Sequence, residues 1–263
     1  MNALGRNVLV TGATGGLGQA IARALGQQGA SLILTGRRGE VLEPLAFELD
    51  ARAIVADLAE RSDLERLIGE VGRVDILVAN AALPASGTLD DYSTTQIGHA
   101  LDVNLRAPIV LAKALMSDMA ARRSGHLVFI WSLSGKLATP GSALYSATKF
   151  GLRGFAASLR QDLHGSGVGV STIFPGPIRE AGMWAQTQVE LPRMLGTRRP
   201  QDVAAAVVRA IETDKAEIDV APLPARLGAV IAAVAPTVVA GVNRRLGAQS
   251  IAHQVASAQR EMR

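Results

Sequence analysis

The chain has 263 residues, of which 48% are hydrophobic, with 27 Gly and no Cys. This composition supplies a full apolar core and excludes an intrinsically disordered chain, a disulfide framework and a cysteine-ligated metal site. The formal net charge is +4, yet aromatics make up only 3% and the basic residues are scattered rather than striped, which argues against a nucleic-acid surface.

Residues 1–7 carry a single cation, Arg6, and the apolar run that follows breaks at Thr11-Gly12, too early for a secretory signal, so a cytoplasmic location is expected. Residues 7–10 and 31–34 read as strands, and between them Leu17, Ala20, Ile21, Ala24 and Leu25 repeat at helical spacing. A strand is expected at 53–55, a helix at 61–71 and a strand at 75–78. Then follow a long helix at 105–122, a strand at 126–130, a helix at 143–163 and a strand at 168–174. A helix at 202–212 and a strand at 217–220 close the series. Strands apolar on both faces, alternating with helices, predict an α/β fold: a doubly wound parallel sheet of about seven strands with helices on both faces. Residues 1–222 then form one domain and 223–263 a helical tail.

Thr11-Gly12-Ala13-Thr14-Gly15-Gly16-Leu17-Gly18 lies where the first strand hands over to the first helix. Glycines there permit a tight turn and a close approach of backbone N–H groups to a pyrophosphate, and the helix N-terminus adds partial positive charge. No Gly-Lys-Ser/Thr follows, which excludes a P-loop. The second strand ends on Gly36-Arg37-Arg38, where a carboxylate would hold a free ribose 2′-hydroxyl. Gly36 removes that carboxylate and Arg37 offers a planar cation suited to a 2′-phosphate, so NADP is expected ahead of NAD. Arg38 is expected to point to solvent or share the phosphate loosely, and Gly36→Asp to reverse the preference.

Tyr145 and Lys149 are four residues apart in an expected helix and so share a face; the chain has only two Tyr, and four of its 27 basic residues are Lys. Ser132 lies thirteen residues before Tyr145, just past the strand at 126–130. The carboxyl ends of parallel strands are where such sheets build sites. With Thr11 to Gly18, Asp57-Leu58, Asn80-Ala81-Ala82, Asn104 and Pro175-Gly176, the chain resembles the single-domain short-chain dehydrogenases/reductases over about residues 5–220.

The resemblance implies an oxidoreductase interconverting a ketone or aldehyde and an alcohol. Tyr145 would act as general acid/base, Lys149 would bind the nicotinamide ribose and lower the phenol pKa, and Ser132 would hold the substrate carbonyl. Asn104 would hold a water linking Lys149 to solvent. Gly12, Thr14, Gly16, Leu17, Gly18, Arg37, Asp57, Leu58, Asn80, Ala81, Tyr145, Lys149, Pro175, Gly176 and Ile178 would form the cofactor site, with no metal. Glu180 departs from the family pattern, standing where a Thr commonly holds the carboxamide, and Ala82 replaces a Gly. A non-catalytic dinucleotide-binding sensor is the alternative, though it would have no need of a complete proton relay.

Around these residues Trp131, Leu133, Leu137 and Leu144, together with Met183, Trp184, Leu191, Met194 and Leu195 in the segment that the resemblance makes a substrate lid, suggest a lipophilic substrate. The four His (His99, His126, His164, His253) read as surface or helix-end residues. The apolar segment 227–242, interrupted by Pro236, falls short of the roughly 20 residues of a spanning helix. It is expected to seal the pocket or a subunit interface in preference to lying on a membrane. Ala-rich stretches in the helices at 105–122 and 143–163 point to a homodimer or homotetramer, since by resemblance these helices form the subunit contact.

Overall fold

The computed structural model describes residues 1–185, 187, 189, 196–245 and 248–259. Among them seven strands form one parallel sheet: β1 (Asn7–Thr11), β2 (Ser31–Gly36), β3 (Arg52–Val55), β4 (Ile76–Ala79), β5 (Gly125–Ile130), β6 (Val168–Pro175) and β7 (Glu217–Val220). Their order is β3-β2-β1-β4-β5-β6-β7. All seven expected strands are present, and β2 runs on to include Thr35 and Gly36.

Helices α1 (Gly16–Gln27), α2 (Gly39–Glu48) and α3 (Arg61–Glu70) follow the first three strands. Helices α4 (Thr94–Leu101) and α5 (Ala107–Ala121) lie between β4 and β5, α6 (Ala143–Asp162) between β5 and β6, and α7 (Gly182–Ala185) and α8 (Pro200–Thr213) between β6 and β7. The chain continues through α9 (Leu223–Val234), α10 (Pro236–Arg245) and α11 (Ala248–Ala258).

Alternation along each strand divides the core into two layers. Leu9, Leu77, Leu127 and Phe129 meet Leu64 and Leu67 of α3, Leu111 of α5 and Leu152 of α6 on one face. Val8, Val10, Val78 and Val128 meet Ile21 and Leu25 of α1, Leu42 of α2 and Val207 of α8 on the other. Burying one such side chain contributes about 1.5–3 kcal/mol, so both faces are firmly covered.

Two local expectations are corrected, and the tail is given its helices. The helix expected at 105–122 begins at Ala107; ahead of it Asp102–Arg106 form a π turn that joins α4 to α5. The tail's apolar run is two helices, because Pro236 has no N–H to continue α9 and instead opens α10. His126 is not a surface residue: it is 2% exposed in β5 and its Nε2 pairs with Ser171 Oγ at 2.9 Å. Burial, opposed by the nearby Asp214 carboxylate, lowers its pKa to about 4.

Candidate active site

The strand order reverses direction at β1, between β2 and β4, and the glycine loop sits at that switch point. Gly12 has φ of 64°, and a Cβ there would stand 2.7 Å from Ala81 Cα. A Cβ on Gly18 would strike the Gly12 carbonyl. The loop is thus packed as tightly as glycine allows. Gly15 caps α1 without any side-chain bond, which leaves the first N–H groups of the helix available to an anion.

The loop is held from behind. Thr11 Oγ1 accepts the N–H groups of both Asn80 and Ala81 at 3.0 Å, and Asn80 Nδ2 donates to the carbonyls of Thr11 at 3.0 Å and Gly12 at 3.2 Å. Asn80 therefore fixes the loop backbone as well as lining its edge. The Thr11 hydroxyl is a supporting group that the sequence reading did not single out.

At the end of β2, Arg37 is exposed and its Nη1 lies 3.6 Å from Asp57 Oδ2. Asp57 also accepts the Ala59 N–H at 3.0 Å, while Leu58 beside it is buried. Arg38 does not simply face solvent: its Nη2 donates to the Thr14 carbonyl at 2.7 Å, tying β2 to the glycine loop. A Cβ on Gly36 would lie 2.8 Å from Thr14 Cγ2. An aspartate at Gly36 would therefore displace Thr14, so this variant perturbs the loop as well as the charge.

The reactive residues come together on the far side of the switch point. Ser132 follows β5 in extended backbone, and its hydroxyl accepts the Ser134 N–H at 3.2 Å. Tyr145 lies in the first turn of α6 and hydrogen-bonds Ser132. One turn on, Lys149 is 2% exposed, with Nζ 5.4 Å from the centroid of the Tyr145 ring. Burial pushes the phenol up to about 12, against the opposing pull of the Ser132 hydrogen bond. Burial likewise lowers the Lys149 ammonium to about 8. The expected lowering of the phenol pKa is therefore not found: desolvation raises it, and the opposing pull comes from Ser132.

Asn104 sits on the π turn, a distortion frequent at functional sites. Its side chain is committed in both directions to Leu83: Oδ1 accepts the N–H at 2.7 Å and Nδ2 donates to the carbonyl at 3.0 Å. Contact with a water would fall to its backbone rather than to its amide.

The segment after β6 returns over the glycine loop. Gly176 donates to the Val220 carbonyl at 3.0 Å, and Ile178, 4% exposed, bridges to Arg198. Glu180 has φ of 71° and turns its carboxylate to Arg179 at 3.2 Å and Arg199 at 3.7 Å. Ala181 then closes over Gly16, where a Cβ would collide with it. Met183 and Trp184 are half-buried on α7, whereas Leu191, Met194 and Leu195 lie outside the described residues. Trp131 and Leu133 are core residues, Trp131 packing edge-on to Phe174 at 5.4 Å, and Leu144 is buried with Ala85, Tyr92 and Ala100. Leu144 packs against Tyr145, and Leu133 lies beside Gly176.

The profile of a family described as short chain dehydrogenase matches residues 6–191. The chain belongs to the short-chain dehydrogenase family. A relative from Nostoc, the ketoacyl reductase HetN, is 34% identical over 257 residues, spanning 92% of this chain and 90% of its own length. The crystal structure of a short-chain dehydrogenase from Streptomyces avermitilis superposes with a TM-score of 0.78 at 26% identity, covering 94% of this chain and 98% of that one. A short-chain dehydrogenase from Sphingobium yanoikuyae, solved in complex with NADPH, gives 0.77 at 26% identity, with 89% and 95% covered. As a short-chain dehydrogenase the chain is an NAD(P)-dependent oxidoreductase.

Proposed function

We propose that this short-chain dehydrogenase is an NADPH-dependent reductase of a ketone or aldehyde, with Tyr145 as general acid/base. The observation that carries the reading is the convergence of Ser132, Tyr145 and Lys149 on one side of the switch point. The residues fit the cofactor: the glycine loop is packed so closely that a Cβ on Gly12 or Gly18 would fill its cradle, and Arg37 stands at the end of β2 where a 2′-phosphate needs a cation.

Gly12, Thr14, Gly16, Leu17 and Gly18 would hold the pyrophosphate. Arg37, Asp57 and Leu58 would hold the adenosine end, and Asn80, Ala81, Pro175, Gly176 and Ile178 would flank the nicotinamide side. When bound, the nucleotide supplies the hydride. Ser132 donates a hydrogen bond to the carbonyl oxygen and fixes it against Tyr145. Tyr145, protonated at neutral pH because burial raises its pKa, transfers its phenolic proton to that oxygen as the alcohol forms. Lys149 binds the ribose hydroxyls and stabilises the phenolate left behind, and the Asn104 backbone connects Lys149 to solvent through water.

HetN is named a ketoacyl reductase and the Sphingobium neighbour was solved with NADPH, which supports both the direction and the cofactor. Met183 and Trp184 above the glycine loop favour a lipophilic substrate. Residues 1–222 form the catalytic domain in this reading, with the tail as an appendage. The test is a panel of ketones and aldehydes, run with NADPH and with NADH. Turnover with NADPH on at least one carbonyl is expected; turnover with NADH alone would overturn the cofactor assignment.

A further inference from the structure

The tail helices carry their apolar residues on the outside. On α9, Ala225, Gly228, Ala229 and Ala232 are the less exposed positions, and Ala225 and Ala229 pack against the core beside Leu133 and Ala221. Leu223, Leu227, Val230, Ile231 and Val234 fall on the opposite face at helical spacing, with exposures from 49% at Ile231 to 81% at Val234. Val238 and Val242, one turn apart on the adjoining α10, are likewise exposed. A surface helix of a globular domain ordinarily turns its large apolar side chains inward, so α9 is inverted. A contiguous exposed apolar surface of this kind marks an interaction site.

Charge selects the partner. Residues 220–260 contain no Asp or Glu, but they include Arg226, Arg244 and Arg245. Arg226 lies on α9 within 4.0 Å of Asp219, and Arg244 and Arg245 are exposed at the end of α10. Arg245 shares the helical face of Val238 and Val242, where its stem can lie along the apolar surface while its guanidinium reaches outward. We propose that α9 and α10 dock the enzyme on the surface of an anionic lipid bilayer, with the Leu227–Ile231 stripe entering the headgroup boundary and the arginines meeting lipid phosphates.

A second copy of the chain fits this face less well. In a two-fold contact the patch meets itself, which sets Arg244 and Arg245 against their own copies, whereas Arg226 already has the Asp219 carboxylate beside it. No helix among the described residues is long and apolar enough to cross a membrane, so the contact is peripheral. Ala229 is buried in the same apolar core that covers one face of the sheet, so α9 is fixed to the catalytic domain rather than free of it.

Co-sedimentation with vesicles tests this directly. The full chain is expected to pellet with phosphatidylglycerol/phosphatidylcholine vesicles and not with phosphatidylcholine alone, and to be released by salt. Leu227→Glu with Ile231→Glu should abolish pelleting while leaving solution reductase activity unchanged. Arg244→Gln with Arg245→Gln should weaken partitioning by about 25-fold, and it preserves the apolar face should the first variant fold poorly. Failure of the wild type to bind anionic vesicles would overturn the proposal. So would a fall in solution mass of the glutamate variant without any vesicle binding by the wild type, which would show that a second copy covers the face.

Discussion

Arg37 and Asp57 form an ion pair across the carboxyl ends of β2 and β3, 3.6 Å apart, at the edge where the adenosine of a dinucleotide would lie. Arg37 is thereby held in place by a partner already present in the chain. A charge-assisted bond to a phosphate contributes about 1.5–3 kcal/mol. Arg37→Ala should therefore raise the Kd for NADPH by about one to two decades and leave NADH nearly unchanged. Fluorescence titration of both reduced cofactors checks this; equal weakening of both would assign Arg37 to the loop rather than to the 2′-phosphate. Arg38→Ala should weaken both cofactors together, because it loosens Thr14.

The two raised and lowered pKa values define a pH window. Tyr145 near 12 remains a proton donor throughout the neutral range, whereas Lys149 near 8 begins to lose its charge just above it. Reductase kcat/KM, which reports the free enzyme, should be level through neutrality and fall as pH rises past about 8. A Lys149→Ala variant should lose that descending limb and also bind cofactor less well.

His126 gives a stability prediction of definite sign. Its pKa is near 4 in the fold and 6.5 in the unfolded chain, so the unfolded state binds the extra proton between these values. The stability is fully present above pH 6.5 and is lost as pH falls toward 4, by about 3 kcal/mol in all. Urea midpoints of wild type and His126→Gln measured across this range should converge at low pH. Parallel curves would contradict the assignment.

Asn104 braces Leu83 as well as having a place in the proposed mechanism. Asn104→Ala removes two bonds to Leu83 and leaves a buried N–H and carbonyl without their partner, at a cost of about 2 kcal/mol. Thermal unfolding should register this loss alongside any fall in kcat.

Self-association should run through α6. Its exposed face carries Ala147, Phe150, Gly151, Gly154 and Ala157 at helical spacing, a shallow surface that admits another helix closely. Phe150→Asp should reduce the light-scattering mass to that of one chain, whereas an unchanged mass would place the contact elsewhere.

Much of this was legible from residues alone, for physical reasons. A glycine loop between a strand and a helix, Tyr145 and Lys149 one helical turn apart, and strands apolar on both faces are local patterns with few other solutions. What escaped depends on distant partners: Thr11 reaching Asn80 and Ala81, Arg38 reaching Thr14, and Asn104 reaching Leu83. Helix α4 could have been found, because Ser93 and Gln96 form a reciprocal cap that the spacing announces. Helix α2 was obscured by Pro44 in its interior. The apolar residues around Ser132 are ambiguous from sequence because burial in the core and exposure to a substrate demand the same side chains.

The central claim is that the Tyr145 phenol delivers the proton. Steady-state reduction of a carbonyl found in the panel, with NADPH and the Tyr145→Phe variant, tests it most directly. A fall in kcat of about 100-fold or more, with NADPH binding unchanged by fluorescence titration, is the result expected. Turnover by Tyr145→Phe at the wild-type rate would contradict it.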